Sequence, residues 1–191
     1  MTATQSPPDR PKLLRGKLWF WAPIFPLLIL DLWSKSAVFS YMAEHQPGNL
    51  YGRELLVFET SPLRFSLVTW WNTGTIWGLA KDYTWVLMVL RCAALFLILY
   101  FAAKLRPCAR LGQFVLGLIM AGAMGNLYDN FTEPQHGVRD FLRFQGEFFG
   151  YGWEFPAFNV ADSCICVGAI TLAILMWRGA ELTESDVVDR P

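Results

Sequence analysis

The chain has 191 residues, of which 54% are hydrophobic and 17% charged, and its formal net charge is zero. Soluble domains average about 25% charged residues, so this composition, with a mean hydropathy of +0.31, favours a membrane protein. The zero net charge gives no electrostatic argument for nucleic-acid binding. The four cysteines and two histidines lack the spacing of a zinc site, so we expect no metal and no organic cofactor.

The N-terminal half predicts a tail, a membrane span and a small β element. Residues 1–17 are polar, basic and rich in proline, which is typical of a disordered cytoplasmic tail. The apolar run 18–39 is too long for the hydrophobic region of a signal peptide, so we predict an uncleaved transmembrane helix. Residues 40–82 contain turn signals and two runs, 55–59 and 64–71, that predict a β-hairpin outside the membrane.

Three further spans are predicted at 83–103, 111–127 and 160–177, with a second external segment at 128–159 and a polar tail at 179–191. Arg91 interrupts the second span, which is costly unless the side chain snorkels or faces the protein interior. The third span is rich in glycine and alanine, which let helices approach closely in lipid. The predicted fold is therefore an all-α membrane protein with four transmembrane helices and a small external β element.

Basic residues predict the orientation of the chain. Lysines and arginines concentrate in the 1–17 tail and in the 104–110 loop, which four spans place on the same side. Basic loops stay in the cytoplasm, so both termini are predicted to be cytoplasmic. Segments 40–82 and 128–159 are then external.

This topology brings polar side chains from every external element to one membrane surface. Asp162 opens the fourth span, and Asp140 lies in the external segment that leads into it. A charge at the edge of a membrane helix is energetically costly, so it indicates a functional role. Two acids at one surface are what an aspartic protease requires. Asp129, at the end of the third span, lies at the same surface and competes with Asp140, and spacing alone cannot exclude it.

Five segments together resemble one known family, signal peptidase II, the prolipoprotein signal peptidases. The segments are Asp31-Leu32-Trp33-Ser34-Lys35, Asn72-Thr73-Gly74-Thr75-Ile76-Trp77-Gly78, Gly122-Ala123-Met124-Gly125-Asn126-Leu127-Tyr128-Asp129, Val138-Arg139-Asp140-Phe141 and Phe158-Asn159-Val160-Ala161-Asp162. No single segment is specific, but their order and their placement on the four spans also resemble the family. The resemblance covers about residues 18–177.

The resemblance implies an aspartic endopeptidase in a bacterial inner or plasma membrane, with a β-sheet cradle and the active site facing outside. It implies that Asp140 and Asp162 are the catalytic pair. The residues it implies in support or substrate binding are Asp31, Lys35, Asn72, Gly74, Asn126, Asp129, Arg139, Asn159 and Ala161. The implied partners are membrane lipid, a prolipoprotein whose cysteine already carries diacylglycerol, and inhibitors of the globomycin type. No cofactor is implied.

Two positions depart from the family pattern. The family usually has Arg directly after the aspartate that matches Asp129, where this chain has Asn130. Arg139 is the candidate to supply that charge instead. Trp77 stands where the family usually has Phe.

The same residues also fit simpler roles and a different class of function. Asp162 can simply cap the fourth helix, and Asp31 and Lys35, four residues apart, can form a structural ion pair. The different class is a small membrane transporter or channel with a path of ionisable groups. Such a path places ionisable groups at several depths, whereas here the acids cluster at the outer end and only Arg91 is predicted to lie deep.

Overall fold

The structure is a computed structural model that describes residues 16–46, 48–74, 84–133 and 136–179. Most of both predicted tails and residues 75–78 of the second family segment, with Trp77, lie outside these residues. The elements in chain order are α1 (Leu18–His45), β1 (Glu54–Thr60), β2 (Leu63–Asn72), α2 (Thr84–Lys104), α3 (Arg110–Thr132), β3 (Val138–Phe148), β4 (Tyr151–Glu154) and α4 (Val160–Trp177).

The four helices are each long and apolar enough to cross a membrane. The bounds of α4 are those predicted, and α2 is shifted by one residue. The other two helices are longer than the predicted spans, because α1 continues to His45 and α3 runs from Arg110 to Thr132. Hydropathy marks where a helix stops being apolar, whereas backbone hydrogen bonding continues through polar residues that find partners.

Helix α3 is the centre of the bundle and packs against α1, α2 and α4. The small residues of α3 allow the neighbouring helices to pack closely against it. A Cβ on Gly117 would meet the carbonyl oxygen of Phe20 on α1, and one on Gly122 would meet that of Ala161 on α4. At the other end of the bundle, Phe20 joins an apolar core with α2 and α3, and Lys17 bonds the carbonyl of Leu105.

The strands form one antiparallel sheet in the order β1-β2-β3-β4. The β1–β2 hairpin was predicted, but the two strands in the 128–159 segment were not. Strand β3 alternates apolar and polar residues from Leu142 to Phe148, but Arg139 and Asp140 interrupt this pattern at its start. Its polar side chains are satisfied by tertiary partners that the sequence pattern does not show.

The register of the sheet positions the external polar residues. Asn72 pairs with Val138 and Trp70 with Asp140, across a bulge in β2. A bridge between Leu142 and Phe158 then joins β3 to the segment just before α4. The sheet therefore fixes Asp140 beside the first turn of α4.

Candidate active site

Asp140 is held at the centre of the external polar cluster, with 1% of its surface exposed. Its Oδ2 accepts a hydrogen bond from Asn72 Nδ2 at 3.2 Å, and its Oδ1 accepts one from Asn159 Nδ2 at 2.7 Å. Burial, and then the charge of Asp162, raise the pKa of Asp140 well above its usual value, against the opposing effect of these hydrogen bonds and of Lys35. Asp140 is therefore an acid that holds a proton unusually well.

Asp162 lies in the first turn of α4 and is only half-buried. Its Oδ1 accepts a hydrogen bond from Asn126 Nδ2 at 2.7 Å, and its Oδ2 accepts one from the backbone N–H of Asn159 at 3.2 Å. The Asp162 N–H in turn donates to Asn159 Oδ1 at 2.8 Å, which completes a capping box. The capping role of Asp162 is thus real, and it leaves the carboxylate accessible beside Asp140.

Asn159 connects the two carboxylates. Its side-chain amide donates to Asp140 while its backbone N–H donates to Asp162. The same amide also contacts Asn126 Oδ1 and the carbonyl of Arg139, both at 3.2 Å. One fully buried residue therefore sets the relative position of both acids.

A buried ion cluster supports the pair from α1 and α3. Lys35 Nζ lies 2.7 Å from Asp31 Oδ2 and 3.1 Å from Asp129 Oδ2, and it donates to Asn126 Oδ1 at 3.1 Å. The predicted ion pair between Asp31 and Lys35 is thus present. Asp31 Oδ1 also accepts the backbone N–H of Ala161 at 2.9 Å, which ties α1 to the start of α4.

Asp129 is fully committed to this cluster. Besides Lys35, it accepts hydrogen bonds from the Arg139 guanidinium, at 2.7 Å to Nη2, and from the Arg139 backbone N–H at 3.0 Å. Arg139 Nη1 also pairs with Glu133 at 3.2 Å. With both oxygens bound to cations or N–H groups, Asp129 is not placed as the partner of Asp162.

The cation that contacts Asn130 is not Arg139, which the sequence suggested. Arg139 is engaged by Asp129 and Glu133, and it is Arg91 of α2 that donates a hydrogen bond to Asn130 Oδ1. The sequence places Arg91 deep in a span, but its long side chain reaches the last turn of α3. The sequence indicated only that the charge of Arg91 is costly inside a membrane span. It did not indicate which residue Arg91 contacts.

The remaining predicted residues position the pair. The backbone N–H of Gly74 donates to Asn72 Oδ1 at 3.2 Å, which orients the Asn72 amide toward Asp140. Gly125 leaves the space that the Asp31 carboxylate occupies. Among the residues that the structure describes, no group of three His, Cys, Asp or Glu side chains could hold a metal ion.

Aromatic residues of the sheet surround this centre. Trp71 donates from Nε1 to Glu133 at 3.1 Å and packs edge-on against Phe39 of α1. Trp70 stacks near Tyr51 and is 45% exposed, whereas Phe65 stacks on Phe144 within the sheet. Of the four aromatic residues in the predicted hairpin, Phe58 and Trp70 are exposed, whereas Phe65 and Trp71 are half-buried.

Two carboxylates joined through one asparagine, one of them buried and prone to keep its proton, define a class of protein. Neighbouring acids that cannot both ionise easily are the arrangement of aspartic peptidases, the standard example of this effect. Here the arrangement lies at the external end of four helices able to cross a membrane. The fold and the site therefore define a membrane aspartic peptidase.

Comparison with known proteins identifies the family. Residues 24–178 match the family model described as signal peptidase (SPase) II. The chain is 26% identical to the lipoprotein signal peptidase of Anoxybacillus flavithermus, over 86% of this chain and 89% of that protein. It is 33% identical to that of Mycobacterium tuberculosis, over 78% of this chain and 66% of that protein. The chain belongs to the signal peptidase II family.

Solved structures confirm the fold. A bacterial membrane enzyme determined by the in meso method at 1.9 Å resolution superposes with a TM-score of 0.60 at 26% identity, over 82% of this chain and 91% of that one. A second, at 2.3 Å resolution, has a TM-score of 0.63 at 23% identity, over 90% and 93%. The resemblance and the fold class inferred from the sequence are both confirmed, and the transporter or channel alternative loses its basis.

Proposed function

We propose that this protein removes signal peptides from diacylglyceryl-modified prolipoproteins by cutting the peptide bond just before the lipidated cysteine, with Asp140 and Asp162 as the catalytic pair. The observation that carries the assignment is the contact of Asn159 with both carboxylates, which joins a buried acid to a half-buried one. The membership of the family supports the reaction, and the geometry supports the choice of residues.

Hydrolysis of a peptide bond needs an activated water and a proton donor, and a pair of acids sharing one proton supplies both. The ionised carboxylate takes a proton from the attacking water, while the protonated one hydrogen-bonds to the scissile carbonyl and protonates it as the tetrahedral intermediate forms. The proton taken from water then goes to the leaving amine. The burial of Asp140 favours the proton there in the resting state, although the pair titrates as a unit.

The supporting residues act by position. Asn72, fixed by Gly74, and Asn126 hold one carboxylate each. The cluster of Asp31, Lys35, Asp129 and Arg139 joins α1, α3 and β3 around the pair. The hydrogen bond from Ala161 to Asp31 keeps the start of α4 in place. Such preorganisation allows the pair to react without rearrangement.

The lipid of the substrate places the scissile bond. With both termini in the cytoplasm and the active site facing outside, a diacylglyceryl chain in the outer leaflet would hold the cysteine at the level of Asp140 and Asp162. The contact of Lys17 with Leu105 lies at the opposite end of the bundle, which fits this orientation. Binding energy from the acyl chains is then available to orient the peptide. A globomycin-type cyclic peptide would compete for the same space.

The test is cleavage of a diacylglyceryl-modified prolipoprotein by purified protein. Wild type should cut before the lipidated cysteine, and Asp140→Asn and Asp162→Asn should each lose at least about 10³-fold in rate, because Asn keeps the shape but cannot exchange a proton. Asp129→Asn is the matched comparison, and residual cleavage should survive it. If Asp129→Asn is inactive and Asp140→Asn still cuts, the pair is assigned wrongly.

Folding of the Asp140→Asn variant can be checked through its pH dependence. The pKa of Asp140 is raised in the folded state, so between the unfolded and folded pKa values the native protein binds more protons than the unfolded chain. Stability from this group is therefore full at low pH and is lost as pH rises. The asparagine variant has no charge to bury but only one acceptor oxygen for the donors Asn72 and Asn159. Its melting temperature relative to wild type should therefore rise as the pH goes from acid to neutral.

A further inference from the structure

Arg91 is a cation inside a membrane span whose polar contact is a neutral one. Its Nη1 donates to Asn130 Oδ1, and no acid lies within ion-pair distance of it among the described residues. The Asn130 amide is oriented for this role, because its Nδ2 donates to the carbonyl of His136 at 2.5 Å. A charge in a membrane helix is costly without a compensating one, so the acid that compensates Arg91 has to be sought at longer range.

The anchor of Arg91 lies next to the proposed pair. Asn130, which accepts from Arg91, is one helical turn after Asn126 on the same face of α3, and Asn126 donates to Asp162. Asp129 already has Lys35 and Arg139 at ion-pair distance. Asp162 and Asp140 have hydrogen bonds from amides but no cation in direct contact among the described residues.

Arg91 brings the charges of the buried cluster and the pair closer to balance. Asp31, Asp129 and a pair that shares one proton carry three negative charges. Lys35 and Arg139 supply two positive charges, and Arg91 supplies the third. Three other titratable side chains lie around the pair. Glu133 is half-buried beside Arg139, and the ring nitrogen of His136 contacts the Asn130 carbonyl. The third is the Cys164 thiol on α4. Strand β2 contributes the neutral Asn72.

We propose that Arg91 is a positioning residue that acts as the counter-charge of the Asp140–Asp162 pair and stabilises its singly ionised form. This inference rests on the assignment of that pair. Because the guanidinium is charged at every working pH, it offers a fixed positive charge. The neutral Asn130 anchors it without forming an ion pair that would cancel its field.

The test is the dependence of kcat/KM on pH for the full-length protein in lipid nanodiscs, with a diacylglyceryl-modified prolipoprotein as substrate. Arg91→Met removes the charge and keeps an apolar side chain. Loss of a nearby cation disfavours the ionised carboxylate, so the acidic limb of the profile should move to higher pH by about one unit. Arg91→Lys should restore the limb toward its wild-type position. Lys104→Met, the same loss of charge about 20 Å along the same helix, should leave the limb in place.

The outcomes separate this inference from the assignment of the pair. If Arg91→Met lowers kcat/KM by the same factor at every pH, its role is structural and the proposal is overturned; the same holds if Arg91→Lys moves the limb as far as Arg91→Met does. If Arg91→Met does not fold, Arg91→Gln, which keeps a donor for Asn130 without the charge, gives the same comparison. Continued cleavage by Asp140→Asn or Asp162→Asn would instead overturn the pair itself.

Discussion

Asn159 shows how one side chain can serve both the fold and the chemistry. Its Oδ1 caps α4 by accepting the Asp162 N–H, and its Nδ2 donates to Asp140. An asparagine offers an acceptor and two donors on one rigid amide, which no other residue with good capping propensity provides. Aspartate would add a third charge to the pair, and serine would keep only the cap.

The two roles of Asn159 can be separated by substitution. Asn159→Ser keeps an oxygen for the cap but loses the amide donor to Asp140. A buried acceptor left without its donor costs about 1–3 kcal/mol, so kcat/KM should fall by about 10- to 100-fold. The melting temperature should also fall, because the same amide contacts Asn126 and the Arg139 carbonyl. Ser163→Ala, which removes a hydrogen bond to the Asn159 carbonyl without touching either acid, is the control and should remain active. Full activity of Asn159→Ser would contradict the bridging role.

At the scale of elements, the glycines of α3 determine how the site is assembled. α1 and α4 both pack against α3, and the site forms where their outer ends meet it. Gly122 lies against the backbone of Ala161, whose N–H is bonded to Asp31 and whose neighbour is Asp162. The packing of α3 on α4 and the position of a carboxylate of the proposed pair are therefore one structural feature.

Gly122→Ala tests this coupling. The added Cβ would overlap the Ala161 carbonyl oxygen and approach Ile165 Cγ1 to 2.8 Å. Backbone atoms cannot move aside as a flexible side chain does, so we expect a destabilisation of about 1–3 kcal/mol and a loss of activity below the melting temperature. Gly152→Ala on β4, where a Cβ meets nothing within 4 Å, is the matched control. Unchanged melting and activity in Gly122→Ala would show that the helices tolerate a wider separation.

At the scale of the whole molecule, the four helices alternate in direction and separate two ends of different chemistry. One end holds the apolar core around Phe20 and the contact of Lys17 with the α2–α3 connection. The other holds the buried charges and the sheet. The proposed orientation, with the charged end outside, follows from the basic residues near the first of these ends.

Cysteine labelling measures that orientation directly. Cys108, exposed in the α2–α3 connection, is one of four free cysteines; the other three would be replaced by serine. A membrane-impermeant maleimide should label Cys108 only after the cytoplasmic face is opened. In a cysteine-free background, Phe149→Cys at the β3–β4 turn, where the side chain is 99% exposed, should be labelled in intact spheroplasts. The opposite pattern would reverse the topology.

The sequence by itself determined the number of helices, the hairpin of β1 and β2, and the family. Each of these depends on local composition or on short segments, as with the apolar run that becomes α4 and the five segments that include Asp140 and Asp162. It also indicated the pair of Asp31 and Lys35, because two residues four apart share a helix face whatever surrounds them.

Only the tertiary structure shows the physical difference between Asp129 and Asp140. The family segments favoured Asp140 where spacing alone could not exclude Asp129, and in the structure Lys35 and Arg139, from two other elements, bind both oxygens of Asp129. The same is true of Arg91, whose partner on α3 is 39 residues away in the chain, and of the start of β3, where Arg139 and Asp140 interrupt the strand pattern. Contacts between distant segments depend on packing in three dimensions, and local sequence patterns carry little information about them.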